Sequence, residues 1–558
     1  MEKIKRLFNK EFSIISEAAI VLGIFTFLSQ ILGIFRDRLL AGNIGAGEAL
    51  DIYYASFRIP DLLFTLGASF ISVAILMPFL KKKLDDSYKE GKKFLDDIFT
   101  IFFVFIIIAS AILFVLLPII TEKLFPGFDG ETLKEVILLS RIMLLSPLLL
   151  GISNLFATIT QSFKKFFVYA LSPVFYNLGI IVGILFFYPL FGITGLAYGV
   201  ILGAFLHVFI QLPVVLKQNL LPKFSFTISW GDIKEVIYHS LPRTLTLSMS
   251  KIVFLVFVSL ASLVSSGAIS IFNLSYNLQS VPLSIIGVSY SVAAFPVLVD
   301  FFNNQNYEKF ISHVMIPIRQ IIFWSLPIIT LFVVLRAQIV RVILGAGNFT
   351  WADTRLTAAS LALFILSVAA QSIILLLIRA YYASGKTWKP LWITLSSSVI
   401  TVILAFIFVR IFNALTPFQI FIEKLLRIEG VAGSSVVMLS LAFSVGMFIN
   451  LYWLWKSFRK DFIFFKNYGI KKTLRESLLS SLIIGGVTYL VLNLTDALFN
   501  SSKTLGVFAH GFFTGIIGIL MGVLFLIFIK NKEFLSFLGA LERKFWKRKV
   551  IYQDDAGI

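Results

Sequence analysis

The sequence predicts an all-α integral membrane protein of about fourteen transmembrane helices, with two parallel-repeat six-helix lobes around a central cleft and a C-terminal two-helix hairpin. Three observations predict it. The first is composition: 58% of the 558 residues are hydrophobic and only 14% are charged, and the mean hydropathy is +0.92. A soluble protein of this size needs far more polar surface. The second is the recurrence of apolar runs of roughly 20 residues, each long enough to cross a bilayer as a helix. The third is an internal repeat that spans six of those runs.

Taken in order, the spans are read at 14–40, 51–80, 95–120, 135–161, 167–189, 193–216, 237–264, 268–300, 312–343, 353–382, 388–412, 431–456, 473–496 and 504–529. The first run follows a basic head (Lys3, Lys5, Arg6, Lys10) and lacks a small-residue cleavage site, so it reads as a span and not as a signal peptide. Basic residues follow spans two, four, ten and twelve, in KKKLDDSYKEGKK, Lys164 and Lys165, Lys386 and Lys389 and WKSFRKDFIFFKNYGIKKTLRE, and close the tail in ERKFWKRKV, all on one side of a fourteen-span chain. The positive-inside rule then puts both termini in the cytoplasm. The linker Lys456–Arg475 is expected to lie along the membrane surface, with Phe458, Phe462, Phe464 and Phe465 in the interface and Lys460, Lys466, Lys471 and Lys472 on anionic headgroups.

The net charge of +19 collects in these connecting segments, where it sets topology and meets lipid headgroups, so no nucleic-acid partner is implied. The chain has no cysteine, which excludes disulfides and thiolate chemistry, and its four histidines (His207, His239, His313, His510) form no ligand-spaced pair. No metal site and no catalytic constellation is visible. The scattered acids Asp51, Asp61 and Asp353 leave a membrane glycosyltransferase conceivable, but 413–430, the longest external loop, is too short for a catalytic domain.

The repeat is carried by short matches. Ile59-Pro60-x-Leu62-Leu63 answers Val281-Pro282-x-x-Ile285 at an offset of 222, and Met77-Pro78-Phe79-Leu80 answers Phe295-Pro296-Val297-Leu298 at 218. Gly127-Phe128 answers Asn348-Phe349 at 221, and Gln161-Ser162-Phe163-Lys164 answers Ala383-Ser384-Gly385-Lys386 at 222. An even number of spans per copy returns the chain to the same side, so the copies are parallel. The lobes are therefore drawn at 1–220 and 221–460, followed by a surface linker with the last two spans (461–530) and a basic cytoplasmic tail (531–558). Gly33, Pro60 and Pro282 are the hinge candidates, because glycine frees the backbone and proline breaks the ladder where neighbours re-satisfy it.

The charged stretch Ser29–Leu63 is the centre of the functional reading. It carries Arg36, Asp37, Arg38, Glu48, Asp51, Arg58 and Asp61 between two apolar runs. Charge at membrane depth faces a bundle interior or a wet cavity, or snorkels to the interface. A cleft lined by arginines suits an anionic headgroup, since guanidinium is always charged and forks onto phosphate oxygens. The candidates are Arg36, Arg58, Arg141, Arg243 and Arg379, with Asp51 orienting an arginine or adding a coupling charge. The glycine-rich GNIGAG at Gly42–Gly47 follows a membrane helix and not a strand, so it is no nucleotide loop.

The same stretch resembles a known family. Ser29-Gln30-Ile31-Leu32-Gly33-Ile34-Phe35-Arg36-Asp37, Gly45-Ala46-Gly47, Asp51 and Phe57-Arg58-Ile59-Pro60-Asp61-Leu62-Leu63 resemble the start of the MurJ/MviN lipid II flippases. Leu344-Gly345-Ala346-Gly347-Asn348-Phe349-Thr350-x-x-Asp353-Thr354 and Arg379-Ala380-Tyr381-Tyr382-Ala383-x-x-Lys386-Thr387-x-x-Pro390 resemble later elements of the same family. The resemblance implies the multidrug/oligosaccharidyl-lipid/polysaccharide exporter fold in the bacterial cytoplasmic membrane. It implies a carrier that exports a polyprenyl-diphosphate-linked peptidoglycan precursor; the chain is expected to act as a monomer and, with no catalytic constellation, not as an enzyme. Transport would need no cofactor and would run on membrane potential or an ion gradient. The chain departs from the family at Gln30, Phe64, Thr65, Asn277 and Ser280, where charged residues are the rule. Two alternatives stay open, a flippase for another lipid-linked oligosaccharide and a small-molecule or drug antiporter of the same fold. On the flippase reading, Arg36→Ala is expected to abolish transport with abundance intact.

Overall fold

A computed structural model describes residues 15–71, 73–462, 468–500 and 503–545, and among them every regular element is helical. Two compact units are built from interleaved stretches of chain. The first comprises Met1–Leu278, Ile343–Phe364 and Lys386–Asn450, and the second Gln279–Val342, Ile365–Gly385 and Leu451–Ile558.

The helices are α1 (Ile15–Ile44), α2 (Glu48–Ser56), α3 (Arg58–Phe70), α4 (Val73–Asp86), α5 (Tyr88–Leu124), α6 (Gly130–Met143), α7 (Leu145–Ser162) and α8 (Phe166–Val182). After a π-helical turn come α9 (Tyr188–Phe191), α10 (Ile193–Phe209), α11 (Leu212–Lys217), α12 (Trp230–Ser262) and α13 (Ala268–Leu283). A second π-helical turn, Ser284–Val288, leads to α14 (Ser289–Asn303), α15 (Tyr307–Val334), α16 (Arg336–Ile343), α17 (Trp351–Ile365), α18 (Val368–Ala383) and α19 (Trp388–Ala414). The chain ends in α20 (Thr416–Leu426), α21 (Val436–Asp461), α22 (Ile470–Leu494), α23 (Thr504–Phe528) and α24 (Lys532–Phe545).

Among the described residues helix is found in every stretch expected to span, but the strict count is lower than fourteen. Among the described residues eleven helices are long and apolar enough to cross a membrane, or twelve if α17 and α18, bent by 44°, make one span. The two expected spans outside that count are 14–40 and 51–80. The first is the single helix α1, with Arg36, Asp37 and Arg38 near its C-terminal end. The second is broken into α2, α3 and α4. The break at Phe57 precedes Pro60, which sits in the first turn of α3, where a missing N–H costs nothing.

The core of the first unit forms where α3, α4, α5 and α7 meet, with Ile59, Leu63, Leu76, Phe94, Phe102 and Phe156 buried together. Local structure also repeats at the offset read from the sequence. Asp129 caps α6 through the N–H groups of Glu131 and Thr132. Thr350, 221 residues on, opens α17 in a capping box, its N–H on Asp353 Oδ2 at 2.8 Å and its Oγ1 taking the Asp353 N–H at 3.2 Å. Leu144 interrupts α6 and α7, as Leu366 and Ser367, at the same spacing, interrupt α17 and α18. Of the hinge candidates, Pro282 precedes the π-helical turn Ser284–Val288, whereas α1 runs through Gly33 without a break.

One expectation at the C-terminal end is corrected. Phe458 and Phe462 are not interfacial: both are buried, ring against ring with Tyr381, whose hydroxyl donates to Ser457 Oγ at 2.9 Å and Asp461 Oδ2 at 3.2 Å. The helix α21 continues to Asp461 because this polar clasp and its aromatic layer extend it, so the linker is shorter than expected. Phe464, Phe465 and Lys466 lie outside the described residues, as do Lys3, Lys5, Arg6, Lys10 and 546–558.

Within the expected basic tail, residues 532–545 form the docked helix α24. Glu533, on α24, is buried and accepts from Arg319 Nε of α15 at 2.9 Å and Thr473 Oγ1 of α22 at 2.7 Å. Asn531 donates to Glu476 Oε2 at 2.7 Å and accepts the Phe534 N–H at 2.9 Å. Burial pushes the Glu533 carboxyl up, but bonds from Thr473 and Arg319 outweigh it and hold the group below its ordinary value. A depressed carboxyl contributes stability above its unfolded pKa and loses it as pH falls through the folded one. Glu533→Gln should cost about 2 kcal/mol of docking at neutral pH. Hydrogen exchange of 532–545 should rise in that variant at pH 7, and in the wild type only under acid; equal exchange in both at pH 7 refutes the role.

Candidate functional site

Within the first unit, α1, α2, α3, α12 and α13 enclose a cavity of about 350 Å³. Its charged lining is Arg36, Arg58, Lys251 and Asp61, and Tyr53, Tyr54, Tyr276, Asn273 and Asn277 supply most of the remaining polar wall. Cations therefore outnumber acids on this surface, at a depth where an unbalanced charge is expensive unless a ligand or water answers it.

Arg36 is held on three sides. Its Nε and Nη2 donate to Asp37 Oδ1 at 3.0 and 2.8 Å, and its Nη1 donates to Asn177 Oδ1 at 3.1 Å. Asn177 is itself fixed, donating to Ser29 Oγ at 3.2 Å and Pro173 O at 3.1 Å. The second oxygen of Asp37 accepts from Asn277 Nδ2 at 2.9 Å. Asn277, one of the family departures, is thus a neutral member of the same network.

Arg58 opens α3. Its Nε donates to Tyr54 O at 3.1 Å, its Nη2 donates to Asn273 Oδ1, and the guanidinium lies 5.4 Å from the centre of the Phe254 ring. Tyr54 is buried, and its hydroxyl has no hydrogen-bond partner among the described residues. Lys251 Nζ, on α12, pairs with Asp61 Oδ2 at 2.7 Å.

The other sequence candidates are elsewhere. Arg141 lies over the ring of Phe114 at 4.5 Å and donates to Phe114 O at 3.3 Å, so it is not a cavity residue. Arg243 is part-buried in α12 without lining the cavity, and Arg379 belongs to the second unit. A basic residue in an apolar helix announces depth but not azimuth, since one residue turns the side chain by about 100°. Asp353 is spent on its capping box. Among the described residues no group of three or more His, Asp or Glu is placed to hold a metal ion.

Asp51 is also outside the lining, and its surroundings give it a different task. It is buried, and its carboxylate accepts the Gly267 N–H at 2.7 Å, the Ser270 N–H at 2.7 Å and Ser270 Oγ at 2.5 Å. An anion on the first N–H groups of a helix satisfies orphan donors and meets the positive end of the dipole, so Asp51 caps α13 from another helix.

Around it three segments of the unit meet in close backbone contact. Gly267 has φ +84°, and a Cβ there would meet Ala46 O at 2.2 Å; Gly347 has φ +54°, and a Cβ there would meet Gly42 O at 2.2 Å. The Asn348 N–H donates to Gly42 O at 2.9 Å, Asn348 Nδ2 to Asn43 O at 2.9 Å and Arg38 Nη1 to Ile343 O at 3.1 Å. GNIGAG is therefore half of a backbone-to-backbone seal, about 9 Å along α1 from Arg36.

Sequence reasoning missed Lys251, Asn273 and the tyrosines. Lys251 was within reach, being the lone charge in 244–264. The tyrosines carried no signal, because aromatic residues in a membrane helix are commonplace.

The family model described as lipid II flippase MurJ matches residues 40–509. A relative from Buchnera aphidicola subsp. Schizaphis graminum, named probable lipid II flippase MurJ, is 28% identical over 466 residues, covering 81% of this chain and 85% of its own. One of the same name from Thermotoga maritima is 27% identical over 390 residues, covering 68% and 76%. Among solved structures, one described as lipid II flippase MurJ in an inward closed conformation matches with a TM-score of 0.71 at 24% identity, over 95% of this chain and 100% of that one. An inward-facing multidrug resistance transporter of the MATE family matches with a TM-score of 0.61 at 16% identity, over 82% and 99%. These structural likenesses concern the fold.

Proposed function

The chain belongs to the lipid II flippase MurJ family, and from that premise we infer that it moves lipid II from the inner to the outer leaflet of the bacterial cytoplasmic membrane, holding the diphosphate between Arg36 and Arg58. The single observation that carries the site is that both guanidiniums line one cavity of the first unit, each oriented by partners that leave some N–H groups unspent. A diphosphate needs forked, charge-assisted donors in a water-poor place, and each such bond contributes about 1.5–3 kcal/mol.

Movement is proposed to follow alternating access between lobes 1–220 and 221–460, with both termini cytoplasmic. In that orientation the seal of Gly42–Gly47, Gly267 and Gly347 lies at the external end, and the cavity belongs to an inward-accessible state. Membrane potential or an ion gradient supplies the work, the carrier acts as a monomer among membrane lipids, and no cofactor, nucleic acid or catalytic step is involved. Three lining cations against one lining acid favour an anionic cargo over the cationic drugs of an antiporter.

The test is complementation of a conditional flippase-depletion strain, read with surface labelling of lipid II on the outer leaflet. Growth and labelling should both return. Normal membrane abundance without either would reject lipid II as the cargo.

A further inference from the structure

Lys251 of α12 and Asp61 of α3 pair in the cavity wall, and they differ from the other charges there. Asp37 is fixed, with 7% of its side chain exposed and both oxygens occupied, one by Arg36 and one by Asn277. Arg36 has Nε, Nη1 and Nη2 engaged, and Arg58 has Nε and Nη2 engaged. The Lys251–Asp61 pair is looser: 42% of the lysine side chain and 30% of the aspartate are exposed in the cavity wall, joined by a contact of 2.7 Å.

Such a half-wet ion pair contributes little net stability, so a stronger anion can break it. A diphosphate that uses the remaining N–H groups of Arg36 and Arg58 still has acceptor oxygens to satisfy. Lysine suits that demand, because its ammonium has three rotatable donors on a flexible stem and re-aims without moving its helix.

We propose that Lys251 is the third diphosphate-binding cation and that Asp61 is a placeholder the cargo evicts. This rests on the lipid II reading above. In the empty cavity Asp61 neutralises Lys251; when the diphosphate arrives, Lys251 Nζ transfers to a phosphate oxygen and the Asp61 carboxylate is left facing its rival. On the far side of the membrane the pair re-forms, and its return competes the cargo off. The aspartate thereby lowers affinity in exchange for release.

The experiment measures lipid II binding to the purified full-length protein in detergent, for the wild type and for Asp61→Asn, Lys251→Met, Lys251→Arg, the Asp61→Asn/Lys251→Met double variant and Arg36→Ala. Asp61→Asn should bind about fivefold more tightly and yet transport more slowly, because release is slowed. Lys251→Met should bind about tenfold more weakly, and Lys251→Arg should stay within about threefold of the wild type. In the double variant the effect of Asp61→Asn should vanish, since nothing remains for the aspartate to occupy.

The proposal is overturned if Lys251→Met binds as the wild type does. It is also overturned if Asp61→Asn weakens binding and thermal stability together and the double variant restores both, which is the pattern of a purely structural pair. Should Lys251→Met fail to fold, Asp61→Asn and Lys251→Arg decide the matter by the same criteria. If Arg36→Ala also binds normally, it is the diphosphate reading itself that fails; if Arg36→Ala loses binding while Lys251→Met keeps it, only the role of Lys251 falls.

Discussion

Arg36→Ala abolishes lipid II transport and Arg36→Lys reduces it at least tenfold: this is the expected result of removing a fork that a point charge does not replace. The structure revises one part of the expectation from sequence. Asp37 is 5% exposed and takes two of the three guanidinium bonds, so Arg36→Ala leaves a buried carboxylate with Asn277 alone. Stranding a buried charge costs about 3 kcal/mol. Abundance and thermal stability should therefore fall with transport in Arg36→Ala, and hold in Arg36→Lys. The lysine variant carries the decisive measurement. A normally abundant Arg36→Lys protein with full transport in surface-labelling assays would refute the need for a fork at this position, and full transport by Arg36→Ala would take Arg36 out of the binding site and leave Arg58 as the principal cation.

Asp51→Ala should be nearly as damaging, by a different route. The substitution removes three bonds to the start of α13, two of them from main-chain N–H groups. Charge-assisted bonds of this kind are worth about 1.5–3 kcal/mol each, so the seal should loosen by about 3 kcal/mol or more. The chain has no cysteine of its own, which makes a single reporter at Leu40 clean. Leu40 lines the cavity and is buried. A membrane-impermeant thiol reagent added outside should label Leu40→Cys about tenfold faster when Asp51→Ala is also present, and transport should fall below a tenth. Unchanged labelling with full transport would refute the latch.

Helix positions were legible because a bilayer demands about 20 apolar residues and the chain supplies them in most of the stretches named, 14–40 and 51–80 being the ones interrupted by charge. The breaks were less so. Pro60 marks the start of α3 in plain view, but the bend between α17 and α18 has no proline and shows itself only beside its counterpart at Leu144. The site divides in the same way. Arg36 and Arg58 stood out by charge at depth, the criterion that Arg141 and Arg243 also met without lining the cavity. The task of Asp51 was out of reach, because its partner Gly267 is 216 residues away and is a main-chain donor that no side chain announces. The glycines of GNIGAG declared a turn, and only the opposing carbonyls of the folded chain make them a seal.

On the proposed cycle, in which the seal is the external gate, it has a pharmacological consequence. Where Gly42 O faces Gly347 and Ala46 O faces Gly267, the closed gap has no room for even one methyl group. A small wedge that enters from outside during the open phase, with a donor for Gly42 O and a single carbon of bulk, would keep the door from shutting. It would need no resemblance to the cargo and would not compete with it. Resistance would also be hard to acquire: at Gly267 and Gly347 any side chain large enough to block the wedge would itself prop the door.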